Sequence, residues 1–384
     1  MKNKEPLFLP KYYKNIELKI ILITLILSVF GCVMVYSASS YSASINYNNE
    51  YHFLIKQIIG VILGATFMTV MYFVDYRILK RFKWWAVLVS FVVLLLVFIP
   101  GIGVSNYGAQ RWIGLPGFTI QASEVAKFCF VLFCASYLCD KADSIHKFKT
   151  LLPVLGVGLA TCLLILIEPN MSITICVGLV MLTMLFIGGM RLKHLGLLSI
   201  PAILVIPMLI IAEPYRLKRL MAFIDPWASP QGEGFQLIQS LYSLGAGGMF
   251  GVGLFNSRQK YQFLPFSESD FIFSIIGEEL GLFGAGILML LFLALIINML
   301  KVARRTTDRF GYFLVVGITS VLATQTLINL AVVTGSIPPT GVPLPLISAG
   351  SSSLIVFMCA IGIVLNINRV NSVQNPYMLI KYKP

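Results

Sequence analysis

The stretch FLPFSESDFIFSIIGEELG (263–281) places Asp270 at the mouth of an apolar segment, with Glu278 and Glu279 two turns further in. Carboxylates at the edge of a membrane core, or inside it, are costly, so three of the chain's sixteen acids gathered here point to work that an apolar residue cannot do. A carboxylate at the position of Asp270 can take a proton from a hydroxyl, or it can serve as N-cap of a helix beginning at Phe271. Chemistry alone leaves both roles open. On a helix, Glu278 and Glu279 lie about 12 Å below Asp270 and point in diverging directions, so they cannot both face one reacting centre. A polar contact between helices, to Gln325 or Asn329, suits at least one of them, and a site for Mg²⁺ or Mn²⁺ is the alternative. Two cationic elements stand out as well. Arg111 is the sole charge of its loop and precedes Trp112, a residue suited to anchoring at an interface or stacking on a sugar ring. Lys127 follows Glu124 by three residues, the spacing of an ion pair on one helical face.

The elements that must position these groups follow from composition. Of 384 residues, 58% are hydrophobic and 12% charged, with a mean hydropathy of +0.86. Soluble domains carry about a quarter of their residues as charges, so the chain reads as an all-α integral membrane protein. A spanning helix needs about 20 apolar residues. Ten such segments lie near 18–38, 53–74, 84–100, 122–139, 151–167, 172–188, 195–213, 271–300, 311–333 and 351–367. The first lacks a small-residue cleavage site and reads as a retained helix. With residues 1–17 and 368–384 as cytoplasmic tails, the cytoplasmic segments hold twenty of the 29 Lys and Arg. The outer loops hold six, five of them in the long loop 214–270. Short loops decide orientation, so both termini are expected inside, and the net charge of +13 is a topological signal with no nucleic-acid partner implied. The seven cysteines fall in or beside the helices without metal-type pairing and read as packing residues.

The unusual residues collect in the outer loops. Loop 101–121 is Gly-rich, loop 214–270 is far longer than a connection requires, and loop 334–350 carries four prolines and three glycines. Irregular backbone at membrane depth survives where protein or a watery cavity satisfies it, so an outward-opening cavity is expected. Within the long loop, FQLIQSLYSL (235–244) puts Phe235, Ile238, Leu241 and Tyr242 on one face of an interfacial or re-entrant helix. The five glycines of GAGGMFGVGLFNS (245–257) suit either a turn between packed segments or backbone amides brought to a phosphate.

At this point the sequence resembles a known family. The region from IDPW (224–227) through EELG (278–281), together with GAQRW (108–112), QASEVAK (121–127) and PPTGVPLPLISAGSSSL (338–354), is similar in order and spacing to the FtsW/RodA/SpoVE family. The DPW and SRQK elements are closest to the FtsW/SpoVE branch. The resemblance implies ten helices and glycosyl transfer on the outer face of the cytoplasmic membrane. Lipid II, a disaccharide-pentapeptide on undecaprenyl diphosphate, would be joined to a nascent glycan strand beside a class B penicillin-binding transpeptidase, in division, sporulation or shape maintenance. Such a reaction removes a proton from an acceptor hydroxyl and expels a diphosphate, which needs little acid help; one carboxylate and a set of cations suffice. The resemblance makes Asp270 the general base. It makes Arg111, Trp112 and Lys127 substrate-binding residues, and Arg258 and Lys260 of SRQK candidates for the diphosphate. Arg216, Lys218 and Arg219 read as contacts to anionic lipid headgroups, and Glu124, Glu278 and Glu279 as structural residues or part of the site. A divalent cation is compatible with this chemistry, and no organic cofactor is implied.

Several residues depart from the family pattern: Phe266, Ser269, Ala122, Tyr107, Gln110, Ala349 and Ser351. Two other classes share parts of the description, a flippase for lipid-linked oligosaccharides and an inactive scaffold for the transpeptidase. Against the flippase, the irregular backbone gathers on one face and the sequence shows no internal repeat.

Overall fold

In a bilayer core the backbone must satisfy its own polar groups, and helices do so within one segment. The computed structural model describes residues 11–106, 109–115, 118–211 and 213–374; most of both expected tails, and Tyr107, lie outside the described residues. In chain order the helices are α1 (Lys11–Tyr47), α2 (His52–Phe73), α3 (Arg77–Arg81), α4 (Lys83–Leu96), α5 (Ala122–Asp140), α6 (Phe148–Ile167), α7 (Met171–Ile187), α8 (Leu192–Ile211), α9 (Pro214–Ile224), α10 (Phe235–Gly247), α11 (Ile272–Arg305), α12 (Arg309–Val333) and α13 (Ser351–Gln374). Among the described residues seven of them, α1, α2, α5, α6, α11, α12 and α13, are long and apolar enough to cross a membrane, and α4 and α7 are shorter apolar helices. Each apolar stretch expected from the sequence overlaps one of α1, α2, α4 to α8 or α11 to α13. The enclosed centre is α5, α12 and α13, while α2, α6 and α11 turn most of their surface outward. There α13 packs along α2, and α12 lies against α5, α7 and α11.

The Gly-rich loop 101–121 is more ordered than expected. It forms a three-stranded antiparallel sheet, β1 (Gly103–Asn106), β2 (Ala109–Leu115) and β3 (Phe118–Gln121). Its register pairs Val104 with Trp112 and Ile113 with Ile120, so the β-branched and aromatic residues carry the strands. The sheet leads directly into α5, and Trp112 stands opposite Gln121 at that junction.

α10 corrects the expected amphipathic face. Its buried residues include Leu237, Ile238, Ser240 and Ser243, whereas Leu241 and Tyr242 are exposed. The serines turn inward because they meet the polar start of α11. Ser240 Oγ lies 2.8 Å from Ser274 Oγ and from the Val333 carbonyl oxygen, and Ser243 Oγ donates to the Ser274 carbonyl at 2.9 Å.

α11 breaks at Gly281, whose φ of 67° is open to glycine at little cost. The carbonyls of Glu278 and Glu279 lose their helical partners there and accept instead from the amides of Val252 and Gly253, both at 3.0 Å. In return Leu282 and Phe283 donate to the carbonyls of Gly248 and Met249. A Cβ on Gly251 would stand 2.1 Å from the Glu279 carbonyl oxygen, so this glycine permits backbone to lie on backbone. The amides of Val252 and Gly253 are spent on a helix and are not offered to a phosphate.

Candidate active site

One large cavity, about 1760 Å³, opens between the sheet, the α6–α7 junction, α9, the Pro/Gly loop 334–350 and the start of α13. Arg111, Trp112, Arg216, Arg219, Glu268 and Asp270 all line it. These come from three separate stretches of chain, β2, α9 and the residues just ahead of α11, brought together by the ends of helices.

Asp270 is not a helix cap. α11 begins at Ile272 with Phe271 at its cap position, and no side chain caps that end of the helix. The carboxylate therefore remains available to the cavity. Its backbone is pinned: Asn329 of α12 donates Nδ2 to the Asp270 carbonyl at 2.8 Å and to the Val342 carbonyl at 2.7 Å. Ser348 Oγ donates to the Ser269 carbonyl at 2.6 Å, and the Ala349 amide donates to the Glu268 carbonyl at 2.8 Å. The extended Pro/Gly loop thus satisfies its own polar groups while fixing residues 268–270. Burial pushes the Asp270 carboxyl up to about 6, against the pull of Arg111 and Arg219; the Glu268 charge adds to the rise and the Ser269 hydroxyl opposes it. A carboxylate in that range is ionised at neutral pH and more basic than usual, as a general base requires. Glu268, half-buried on the same wall, is also raised, chiefly by burial.

Arg111 reaches the cavity from β2. Its Nε donates to the Glu168 carbonyl at 3.2 Å and its Nη2 to the Pro169 carbonyl at 2.6 Å. Arg219 of α9 donates Nη1 to the Pro339 carbonyl at 3.3 Å, with its guanidinium 4.5 Å from the centre of the Tyr215 ring. Arg216 and Arg219 sit one turn apart on the face of α9 that lines the cavity. Sequence reasoning assigned both to lipid headgroups; the 3-residue spacing on an amphipathic helix was the signal that they share a face.

The other expected cations lie elsewhere. Lys127 does not line the cavity. It is 1% exposed and pairs with Glu124 Oε1 at 2.8 Å, with a further bond to Gln325 Oε1, while Ser353 donates to the second oxygen of Glu124 at 3.0 Å. Arg258 and Lys260 belong to a second polar cluster, built on Glu278 and Glu279. Glu278 accepts from the Arg258 amide at 2.9 Å and from the Ser257 hydroxyl at 2.5 Å. Glu279 accepts from Ser37 Oγ at 2.6 Å and from Lys260 Nζ at 3.4 Å. The expected contacts of these glutamates with Gln325 or Asn329 are absent: Gln325 is engaged by Lys127 and the Pro343 carbonyl, and Asn329 by Asp270 and Val342. The break at Gly281 and the docking of 248–257 decide this, bringing Ser257 and Lys260 to the glutamates first.

Among the departures from the family pattern, Phe266, Ser269, Ala349 and Ser351 line the cavity, Ala122 is buried at the start of α5, and Gln110 is exposed on β2. Among the described residues no group of three or more His, Cys, Asp or Glu gathers as a metal site. Glu168, unnoticed in the sequence, is fully buried behind Arg111, and both of its carboxyl oxygens lack a partner.

Residues 17–373 match the family FTSW_RODA_SPOVE, described as cell cycle protein. The chain is 38% identical over 355 residues to stage V sporulation protein E of Bacillus subtilis (strain 168), covering 92% of this chain and 97% of that protein. It is 39% identical over 362 residues to a probable peptidoglycan glycosyltransferase FtsW of Geobacter sp. (strain M18), covering 92% and 96%. Among solved structures, one described as structural coordination of polymerization and crosslinking by a peptidoglycan synthase complex superposes with a TM-score of 0.76 at 26% identity, covering 92% of this chain and 97% of that one. The Thermus thermophilus rod shape determining protein RodA shares the fold, with a TM-score of 0.66 at 22% identity over 93% and 96% of the two chains.

Proposed function

The chain belongs to the FtsW/RodA/SpoVE family and is a peptidoglycan glycosyltransferase, and we propose that it polymerises lipid II with Asp270 as general base. The observation that carries this assignment is the Asp270 carboxylate: it caps no helix, is held from behind by Asn329, and faces a cavity that Arg111 and Arg219 share. Asp270 takes the proton of the acceptor sugar hydroxyl as that oxygen attacks the anomeric carbon of the donor. The bond from that carbon to the diphosphate oxygen breaks, and the lipid diphosphate leaves. Arg111 and Arg219 offset the charge that develops on the leaving oxygens, an interaction that grows toward the transition state. Guanidinium groups suit this task because they grip phosphate with parallel donors. Trp112 offers a flat face to a sugar ring.

A divalent cation fits as a supplement to these groups. Mg²⁺ and Mn²⁺ take several hard oxygen ligands. Glu268 would supply a carboxylate oxygen, and the diphosphate and water the others, leaving Asp270 free to take the proton. When bound, such an ion neutralises charge on the diphosphate.

The remaining assignments rest on charge and length. Ten helices cross the membrane in this proposal, the seven long ones together with α4, α7 and α8. Both termini face the cytoplasm and the cavity opens outward, as the concentration of Lys and Arg in the expected cytoplasmic segments requires. A class B penicillin-binding transpeptidase is the proposed partner, in keeping with the similar complex that joins polymerisation to crosslinking.

Detergent-purified protein supplied with lipid II, with and without a chelator, tests the assignment. Glycan polymer is expected, and its absence overturns it. A flippase or scaffold would leave the substrate intact.

A further inference from the structure

A buried carboxyl sits directly behind the cavity arginine. Glu168, at the C-terminal end of α6, is 0% exposed, and neither carboxyl oxygen has a hydrogen-bond partner. Arg111 is anchored on the backbone of this same residue, through Nε to the Glu168 carbonyl and Nη2 to the Pro169 carbonyl. The next polar side chain, Asn170, caps α7 through Oδ1 and leaves its own Nδ2 buried without a partner. The side chain best suited to take the guanidinium in a two-bond grip is therefore beside it and disengaged. An ionised carboxylate without donors is costly in such a place, so the disengaged form is the protonated one.

We propose that Glu168 is a positioning residue for Arg111: protonated, it leaves the guanidinium anchored on the backbone and presented to the cavity, and ionised, it takes the guanidinium as its own counter-ion and draws it off the diphosphate. A carboxylate–guanidinium pair carries charge on both partners and outcompetes two neutral carbonyl acceptors. An ionised Glu168 left unpaired in its buried position would be the costlier alternative.

Burial pushes the Glu168 carboxyl up to about 8, with Arg111 the opposing influence. The charged and titratable groups around it are few. Arg111 faces it from β2, and Arg111 is itself faced by Tyr215 and Arg219 of α9 and by Asp270 ahead of α11. Across α7, the Lys127–Glu124 pair of α5 lies toward Cys176 and is closed on Gln325 and Ser353. The sign follows directly: the proton is held below about pH 8 and lost above it, so the arginine is presented at neutral pH and withdrawn in alkali.

Because one arm is read on polymer, the inference rests on the polymerase function, and a second arm does not. In the first arm, polymerisation of lipid II by the wild-type protein and by Glu168→Gln is followed across pH. The wild type should fall about tenfold between about pH 7 and about pH 9, and the ratio of alkaline to neutral activity should be several-fold higher in Glu168→Gln, which cannot ionise. In the second arm, thermal melting of both proteins is followed from about pH 5 to about pH 9. A carboxyl raised above its unfolded value costs the native state stability as pH rises from the ordinary carboxylate range to about 8, so the melting temperature of Glu168→Gln should gain on the wild type through that window and then level off. Glu168→Met, neutral and similar in volume, repeats both arms if the Gln variant folds poorly. Parallel pH–activity profiles overturn the proposal, and so do parallel melting curves. Wild-type protein that makes no polymer at any pH overturns the polymerase function instead, and the melting arm still decides the ionisation of Glu168.

Discussion

The carboxylate of Asp270 fills the space in which a side chain on Gly341 would begin: a Cβ built there stands 2.9 Å from Asp270 Oδ2. The base is thus shaped by the Pro/Gly loop as well as by its own helix. Gly341→Ala should push the carboxylate aside by several tenths of an ångström and lower polymerisation by roughly tenfold, since misplacement of a reacting group is felt steeply. Polymer yield against melting temperature checks it. Full activity in a normally folded Ala variant would show that the carboxylate has room to spare.

Asp270→Asn keeps the shape and removes the base. Polymerisation should drop by about 10² to 10⁴-fold with folding retained, because the carboxylate caps no helix. In the wild type the active form is the ionised one, so activity should fall as pH drops through about 6. Between the ordinary carboxylate value and about 6 the native state holds the extra proton, so this group's contribution to stability declines as pH rises through that window. The Asn variant should accordingly melt no lower than the wild type at neutral pH. Melting scans and single-turnover assays on the same preparations separate the two effects.

Arg219→Gln and Arg111→Gln should each lower turnover more than they weaken lipid II binding, because the interaction strengthens as charge develops on the leaving group. Arg111→Lys should rescue only in part, since an ammonium cannot serve the Glu168 and Pro169 carbonyls and a phosphate in the same plane. Comparing kcat with the dissociation constant for lipid II is the measurement. Equal losses in both would reduce these arginines to simple binding contacts.

Lys127→Met strands the Glu124 carboxylate in the enclosed centre and should cost about 3 to 5 kcal/mol. The double variant Glu124→Gln with Lys127→Met should recover most of that loss, and polymerisation should return with it, because Lys127 is paired away from the cavity. A double variant that regains its melting temperature and stays inactive would instead give Lys127 a part in the reaction.

Glu279→Gln removes the partner of buried Lys260 and weakens the bond from Ser37. A loss of stability of about 2 to 4 kcal/mol with partial activity is expected, read by melting and by assembly into the membrane. A fully stable but inactive variant would point to chemistry at this second cluster.

Composition was enough to identify a helical membrane protein, because partition into lipid is a property of local sequence. The Glu124–Lys127 pair was equally legible, since three residues on one helix face fix its geometry without any other part of the chain. Asp270 was legible as a residue of consequence, while its freedom from capping depended on α11 starting at Ile272, a boundary set by loop 334–350 fastening residues 268–270 from the side. The division of cations between the two clusters was decided by tertiary structure alone. The break at Gly281 opens two helix carbonyls, the segment after α10 docks on them, and Lys260 is carried to Glu279 by that docking. α9 turns Arg216 and Arg219 toward the cavity through contacts more than a hundred residues distant, as with Arg219 and Pro339. Nor could hydropathy single out Glu168: the end of an apolar helix looks alike whether its last carboxyl meets water or the back of an arginine. Charge and spacing act along the chain and can be read there, whereas which charge meets which depends on how broken helices and loops pack against one another.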